Sequence, residues 1–141
     1  MPLKYNNNQH RVYLRMIDHI GRMWLEVFGE NTEFYSAQYW ALFTTVWKSD
    51  APIKKTDALR SITGVRSTHT AAKYLGSAIA QNLLFETDNP ADARSKLVGL
   101  TPEMRGRLDA FFDQAVGELR RAMRAVDSNA PRAGNFEASR L

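Results

Sequence analysis

The chain has 141 residues, 44 % of them hydrophobic, with no cysteine and a formal net charge of +4. That length supports one domain with a modest core. Without cysteine, disulfides and thiolate metal sites are excluded. No apolar run reaches membrane-spanning length, and the polar opening MPLKYNNNQH lacks the apolar stretch of a secretory leader. The expectation is a cytoplasmic chain with no membrane partner.

The charge is concentrated. Residues 53–84 carry Lys54, Lys55, Arg60, Arg66 and Lys73 against Asp57 alone, five minus one, which equals the net charge of the whole chain. Such a segment reads either as a solvated face or as the footprint of a nucleic-acid partner.

In chain order, residues 1–10 read as an N-terminal arm. Residues 11–28 are predicted helical because Val12, Met16, Ile20, Met23 and Val27 recur at spacings of three and four. Tyr13, Leu14, Ile17, Trp24, Leu25 and Phe28 widen the apolar stripe beyond one face. A helix apolar on several sides needs more than one surface to bury against, and a second subunit would supply one. A second helix is expected over residues 36–48, capped by Ser36 and broken by Ser49-Asp50-Ala51-Pro52.

Two shorter helices are predicted over 56–63 and 67–82, the first capped by Thr56, with Gly64 in the turn where a positive φ is useful. In the second, Ala71, Ala72, Leu75 and Ile79 are expected to pack. A short helix, a glycine turn and a second helix make a helix-turn-helix signature. Residues 83–87 and 96–100 read as strands joined by the polar loop Asp88-Asn89-Pro90-Ala91-Asp92-Ala93-Arg94-Ser95. Thr101 caps the last helix, and Pro102 takes its first position. That helix is amphipathic to about Val126 through Leu108, Phe111, Phe112, Ala115, Val116, Leu119 and Met123. Residues 128–141 read as a disordered tail.

A hairpin directly behind a helix-turn-helix is a winged-helix arrangement. The expected fold is therefore mainly α with a small β-hairpin wing: a winged helix-turn-helix flanked by N- and C-terminal dimerisation helices. Residues 11–127 form its single domain, with a DNA-binding lobe over 53–100 and dimerisation helices over 11–34 and 102–127.

At this point the sequence resembles the multiple-antibiotic-resistance regulator (MarR) family of winged-helix transcription factors. Asn89-Pro90-Ala91-Asp92-Ala93-Arg94, then Lys96-Leu97-Val98-Gly99-Leu100-Thr101, is similar to the family's wing pattern Asp-Pro-x-Asp-x-Arg, a strand, and Leu-Thr at the last helix. Asn89 stands where Asp is usual. Gly64-Val65-Arg66-Ser67-Thr68 resembles the family's Gly-(Leu/Val)-Ser-x-(Ser/Thr), with Arg66 in the usual capping position and Ser67 able to cap one residue later. Leu83-Leu84 matches the start of the family's hairpin, with Asn82 in place of Gly. Asn is the next-best residue at a left-handed helix end.

The resemblance implies a homodimer on a pseudo-palindromic double-stranded DNA operator. It places Arg94 in or beside the minor groove, where negative potential is concentrated and a weakly hydrated guanidinium enters well. Asp92 would brace that arginine through an ion pair. Arg66, Ser67, Thr68, His69, Thr70 and Lys73 span the start of the recognition helix, where hydroxyls and cations meet phosphates and base edges. Lys96, at the wing's second strand, joins them as a contact. His69 reads equally as a solvated side chain, and Lys54 and Lys55 as phosphate contacts or surface charge. Some family members take a small-molecule effector at the dimer cleft, but no motif here assigns residues to one.

One segment departs from the family. Gly76-Ser77-Ala78-Ile79-Ala80 stands where relatives carry a charged, Leu-containing stretch. This motivates an alternative: a winged-helix interaction module that has lost sequence-specific DNA binding. Three scattered histidines, and no nucleophile–base set or phosphate-cradling loop, give no catalytic residues, no metal ligands and no cofactor; an enzyme is not expected.

Overall fold

The computed structural model describes residues 1–131. Its elements are α1 (Asn7–Val27), a 3-10 turn (Thr32–Phe34), α2 (Ala37–Trp47), β1 (Ile53–Lys54), α3 (Lys55–Ser61), α4 (Thr68–Ala80), β2 (Leu84–Asp88), β3 (Lys96–Leu100) and α5 (Pro102–Ser128). The order is the expected winged helix. The described residues divide into two compact units, one formed by residues 25–110 and the other by Met1–Trp24 with residues 111–131.

In the second of these, the first part of α1 runs antiparallel to the end of α5. Trp24 meets Phe111 edge-on at 5.3 Å between ring centroids. His19 Nε2 lies 3.4 Å from Glu118, and the buried Gln9 amide donates to the Val126 carbonyl at 3.0 Å. α1 starts four residues earlier than its apolar periodicity predicts, so residues 7–10 are helix rather than arm. The cause is a reciprocal cap. Gln9 N donates to Asn6 Oδ1 and Asn6 N to Gln9 Oε1, both at 2.9 Å, which satisfies two helix-end donors at once. Tyr13, Leu14 and Ile17 on α1 and Val116, Leu119 and Met123 on α5 remain exposed.

The unit of residues 25–110 holds the helix-turn-helix and the wing. Its core is aromatic on one side, where Phe34 packs among Phe28, Tyr39 and Phe43 at centroid distances of 4.6–6.0 Å. Leu42, Ala58, Leu75, Ala78, Leu84, Val98, Met104 and Leu108 fill the remainder and are fully enclosed. Ser36 caps α2 as expected, accepting from Tyr39 N.

α3 corrects one expectation. It starts at Lys55 with no side-chain cap bond, so Thr56 is its second residue and not its cap. The preceding residues form a strand too short to show a two-residue period. Ile53 and Lys54 pair with Val98 and Leu97, giving a three-stranded antiparallel sheet in the order β1-β3-β2. This pairing fixes the chain where a cap would otherwise hold it. Gly64 takes φ +78° between α3 and α4, and Asn82 takes φ +62° after α4, the left-handed end that Asn tolerates.

The hairpin keeps strict register, with Leu84 opposite Leu100 and Asp88 opposite Lys96. Phe85 faces Gly99 across the strands. A Cβ on Gly99 would stand 2.6 Å from the Phe85 ring, so the ring occupies the place of the missing side chain. Thr101 joins the wing to the last helix: its Oγ1 accepts from Met104 N at 3.3 Å and donates to the Asn82 carbonyl at 2.9 Å. The tail expected over 128–141 lies outside the described residues from 132 onward; its first residue, Ser128, closes α5.

Candidate nucleic-acid interface

The candidate surface is the exposed side of α4 together with the wing. Ser67 is the N-cap of α4, taking the role one position after Arg66, and its Oγ accepts from Thr70 N at 3.2 Å. The Thr70 hydroxyl lies 3.1 Å from the same oxygen, so it serves the cap and is half-buried. Arg66, Thr68, His69 and Lys73 are exposed. Ala71 and Leu75 are buried as expected and Ile79 is half-buried, but Ala72 is exposed. Its position puts it on one stripe with His69, Lys73, Gly76 and Ala80, at spacings of three and four. The outward face of α4 therefore carries hydrogen-bonding and charged groups in its first two turns and small residues beyond them.

The wing tip is held by its own side chains. Asn89 Oδ1 accepts from Ala91 N at 3.0 Å, and its Nδ2 donates to Ser95 Oγ at 2.8 Å. Asp92 Oδ1 accepts from Arg94 N at 3.0 Å. Both are Asx turns, the local bonding that favours these residues in loops. Asp92 thus engages the backbone of Arg94, and among the described residues no ion pair joins the two side chains. The expected brace acts on the position of Arg94 and leaves its guanidinium open to solvent.

Two of the three lysines in or beside the sheet are committed to carboxylates. Lys96 bonds Asp88 across the last strand pair before the wing loop, which holds the Asp88 carboxyl below its ordinary value and raises the Lys96 ammonium. Lys55 bonds Glu86 at 2.9 Å, and Arg60 sits 3.8 Å from Asp57. Among the described residues Lys54, Arg66, Lys73 and Arg94 have no carboxylate partner. The accessible positive charge on this lobe is therefore carried by the start of α4, by the wing tip and by Lys54 at the sheet edge.

A polar cluster at the far end of α4 escaped sequence reading. The Glu33 carboxylate, on the 3-10 turn, accepts from Ser77 Oγ, from Gln81 Nε2 at 2.9 Å and from the Tyr39 hydroxyl at 3.1 Å. Asn31 Nδ2 donates to Gln81 Oε1 at 2.7 Å. The bonds from Ser77 and Gln81 hold the Glu33 carboxyl below its usual value, and burial pushes the Tyr39 phenol up. Pairs separated by more than forty residues leave no local signal; only the isolated polarity of Ser77 and Gln81 at a four-residue spacing hinted at a partner.

No group of metal-ligating side chains forms among the described residues, and none of their helices is long and apolar enough to cross a membrane.

No protein-family model matches the chain, and no curated protein does. Solved structures do. A mutant of Staphylococcus aureus MepR bound to an oligodeoxyribonucleotide superposes with a TM-score of 0.55 at 18 % identity, over 92 % of this chain and 90 % of that one. The S. aureus MepR–DNA complex gives 0.50 at 17 % identity, over 90 % and 88 %. A Pseudomonas aeruginosa protein described as a probable transcriptional regulator gives 0.51 at 18 % identity, over 93 % and 90 %. The chain shares the fold of these proteins, a winged helix with its wing, as the wing and turn motifs implied.

Proposed function

We propose that the protein is a MarR-like transcriptional regulator that binds a pseudo-palindromic operator in double-stranded DNA as a cytoplasmic homodimer. One observation carries the reading: among the described residues Arg66, Lys73 and Arg94 are exposed and free of carboxylate partners on the two elements that a winged helix presents to DNA, while Lys55 and Lys96 beside the sheet are paired with Glu86 and Asp88. Arg66 and Thr68 would meet base edges or phosphate at the start of the recognition helix, Lys73 the backbone, and Arg94 the minor groove. His69 faces the same groove. Ser67 and Thr70 would act by fixing the helix start, and Lys96 would reach phosphate by exchanging Asp88 for it. The fold shared with MepR in complex with DNA supports this reading.

Purified protein used to select duplexes from random sequence should enrich a two-fold-related site. Affinity for that site should fall linearly with salt on logarithmic axes, because each neutralised phosphate releases a counterion. A flat salt response, or no enriched duplex, would sink the proposal. It would favour the second reading, an interaction module, which the small outward residues Ala72, Gly76 and Ala80 support.

A further inference from the structure

We propose that Glu33 is a positioning residue for the recognition helix: its carboxylate holds the last turn of α4 to the 3-10 turn and so sets the pose in which Arg66, Thr68, His69 and Lys73 are presented. The inference rests on the DNA-binding reading above for its consequence, and on hydrogen bonds within one compact unit for its substance.

α4 needs such a hold. Its first turn is fixed by the Ser67 cap and by burial of Ala71 and Leu75. Its second half contains an exposed glycine, which lowers helix propensity. The only fully buried side chain beyond Leu75 is the small Ala78. Ridge packing by alanine constrains the roll of a helix weakly, since few atoms interlock.

Glu33 supplies the constraint from outside the helix. Its own position is rigid. Asn31 Oδ1 accepts from Glu33 N at 3.1 Å, ordering the 3-10 turn, and the next residue, Phe34, is 1 % exposed within the aromatic cluster. From that fixed point both carboxylate oxygens reach α4. One takes Ser77 and Tyr39, the other Gln81. Gln81 is also held by Asn31, and Gln81 Nε2 lies 3.0 Å from Ser77 Oγ, so the two helix residues are tied to each other as well as to the turn. Among the described residues no cation pairs with Glu33; its charge is met by three neutral donors, whose hydrogen bonds weaken when their geometry is lost.

The stripe matters for the proposed function. Lys73, Ser77 and Gln81 are spaced by four and lie one above another on α4. Glu33 and Lys73 line one surface cleft, with Ser36, Tyr39 and Tyr74. The hold therefore grips the helix on the same side as Lys73, beginning one turn beyond it. A roll released there would move every side chain of the outward stripe, and sequence reading would suffer more than charge attraction, which tolerates loose geometry.

The test uses the full chain, with Glu33→Ala, Ser77→Ala and the double variant. The first removes both charge and bonds, and the second removes the Ser77 bonds to Glu33 and Gln81 without a charge. Two readouts are taken: backbone hydrogen exchange across residues 68–82, and affinity for a duplex selected by the unaltered protein against an unrelated duplex of equal length. Each single change should lower the ratio of specific to unrelated affinity by about three- to tenfold, the range of coupled contacts. Exchange should quicken in the last turn of α4 and nowhere else, and the double variant should be no worse than the worse single. Unchanged exchange in that turn, or a ratio that falls with Glu33→Ala but not with Ser77→Ala, overturns the inference, the latter showing a charge effect only. Should the unaltered protein prefer no duplex, the regulator reading fails, and exchange alone decides whether Glu33 holds the helix.

Discussion

Two side chains give the sharpest tests at the residue scale. Arg94 sits in the hairpin loop, and the Asx bonds of Asn89 and Asp92 order the backbone around it without using its guanidinium. Arg94→Ala should weaken duplex binding by about tenfold, the order of one well-placed contact, with an unchanged melting temperature. Equal affinity in a folded variant would remove the wing from the interface. Asp92→Ala tests the support separately: it keeps every cation, removes a negative charge and frees the Arg94 amide. Weaker binding despite that gain in positive charge would show that the position of Arg94 counts for more than its charge.

Glu33 gives the pH dependence. Its folded carboxyl is held below the ordinary value of 4.5 by donors from Ser77 and Gln81. The folded state thus prefers the charged form, and the stabilisation is complete above the unfolded value and lost as pH falls through the folded one. Thermal melts of the unaltered chain and Ser77→Ala should differ at neutral pH and converge once pH falls below the folded value. A difference that grows on acidification would contradict this assignment. The group is solvent-exposed, so the effect is a local one.

At the scale of elements, α4 poses the sharpest question, because its outward face turns from polar to small halfway along. Gly76 is exposed and nothing lies within 4 Å of where its Cβ would stand, so packing against this chain does not require glycine there. Gly76→Ala should raise stability by up to about 1 kcal/mol through helix propensity, read from chemical denaturation. If duplex affinity falls as stability rises, the glycine admits a close approach of DNA to the helix. If affinity is unchanged, the position is simply open.

The helices, hairpin and turn were legible in the sequence because each rests on a local signal: apolar spacing in α1, α2 and α5, Gly64 and Asn82 at positive φ, Ser36 and Thr101 at caps. The start of α1 is also written locally, as Asn6 and Gln9 three apart, but polar capping precedes the apolar pattern and reads from sequence as an arm. β1 was not legible, since two residues have no period and Ile53 is a strand only because β3 runs beside it. In the candidate interface, the cations were visible and their partners were not. Neutralisation of Lys55 by Glu86 and of Lys96 by Asp88 depends on strand register, and the grip of Glu33 on Ser77 depends on the whole tertiary fold.

At the scale of the whole molecule, the unit formed by the chain ends shows an incomplete burial. Leu14 and Met123 are 57 % and 58 % exposed, and Tyr13, Ile17, Val116 and Leu119 are exposed beside them in sequence spacing on their helices. An α1–α5 pair alone cannot cover both faces of two amphipathic helices, and six exposed large apolar side chains on one pair of helices make it the candidate association site. A two-fold dimer would bury it with the same patch from a second copy and would carry two recognition helices to half-sites about one DNA turn apart. Leu14→Glu and Met123→Glu place charges in that patch without touching the core, so each should sediment as a folded monomer with unchanged helical content by circular dichroism. Binding to a two-half-site duplex should then fall towards that of a single half-site. A dimer that persists in both variants, or an unaltered chain that is monomeric at micromolar concentration, would place the association surface elsewhere and leave the exposed stripe on α1 and α5 to another partner.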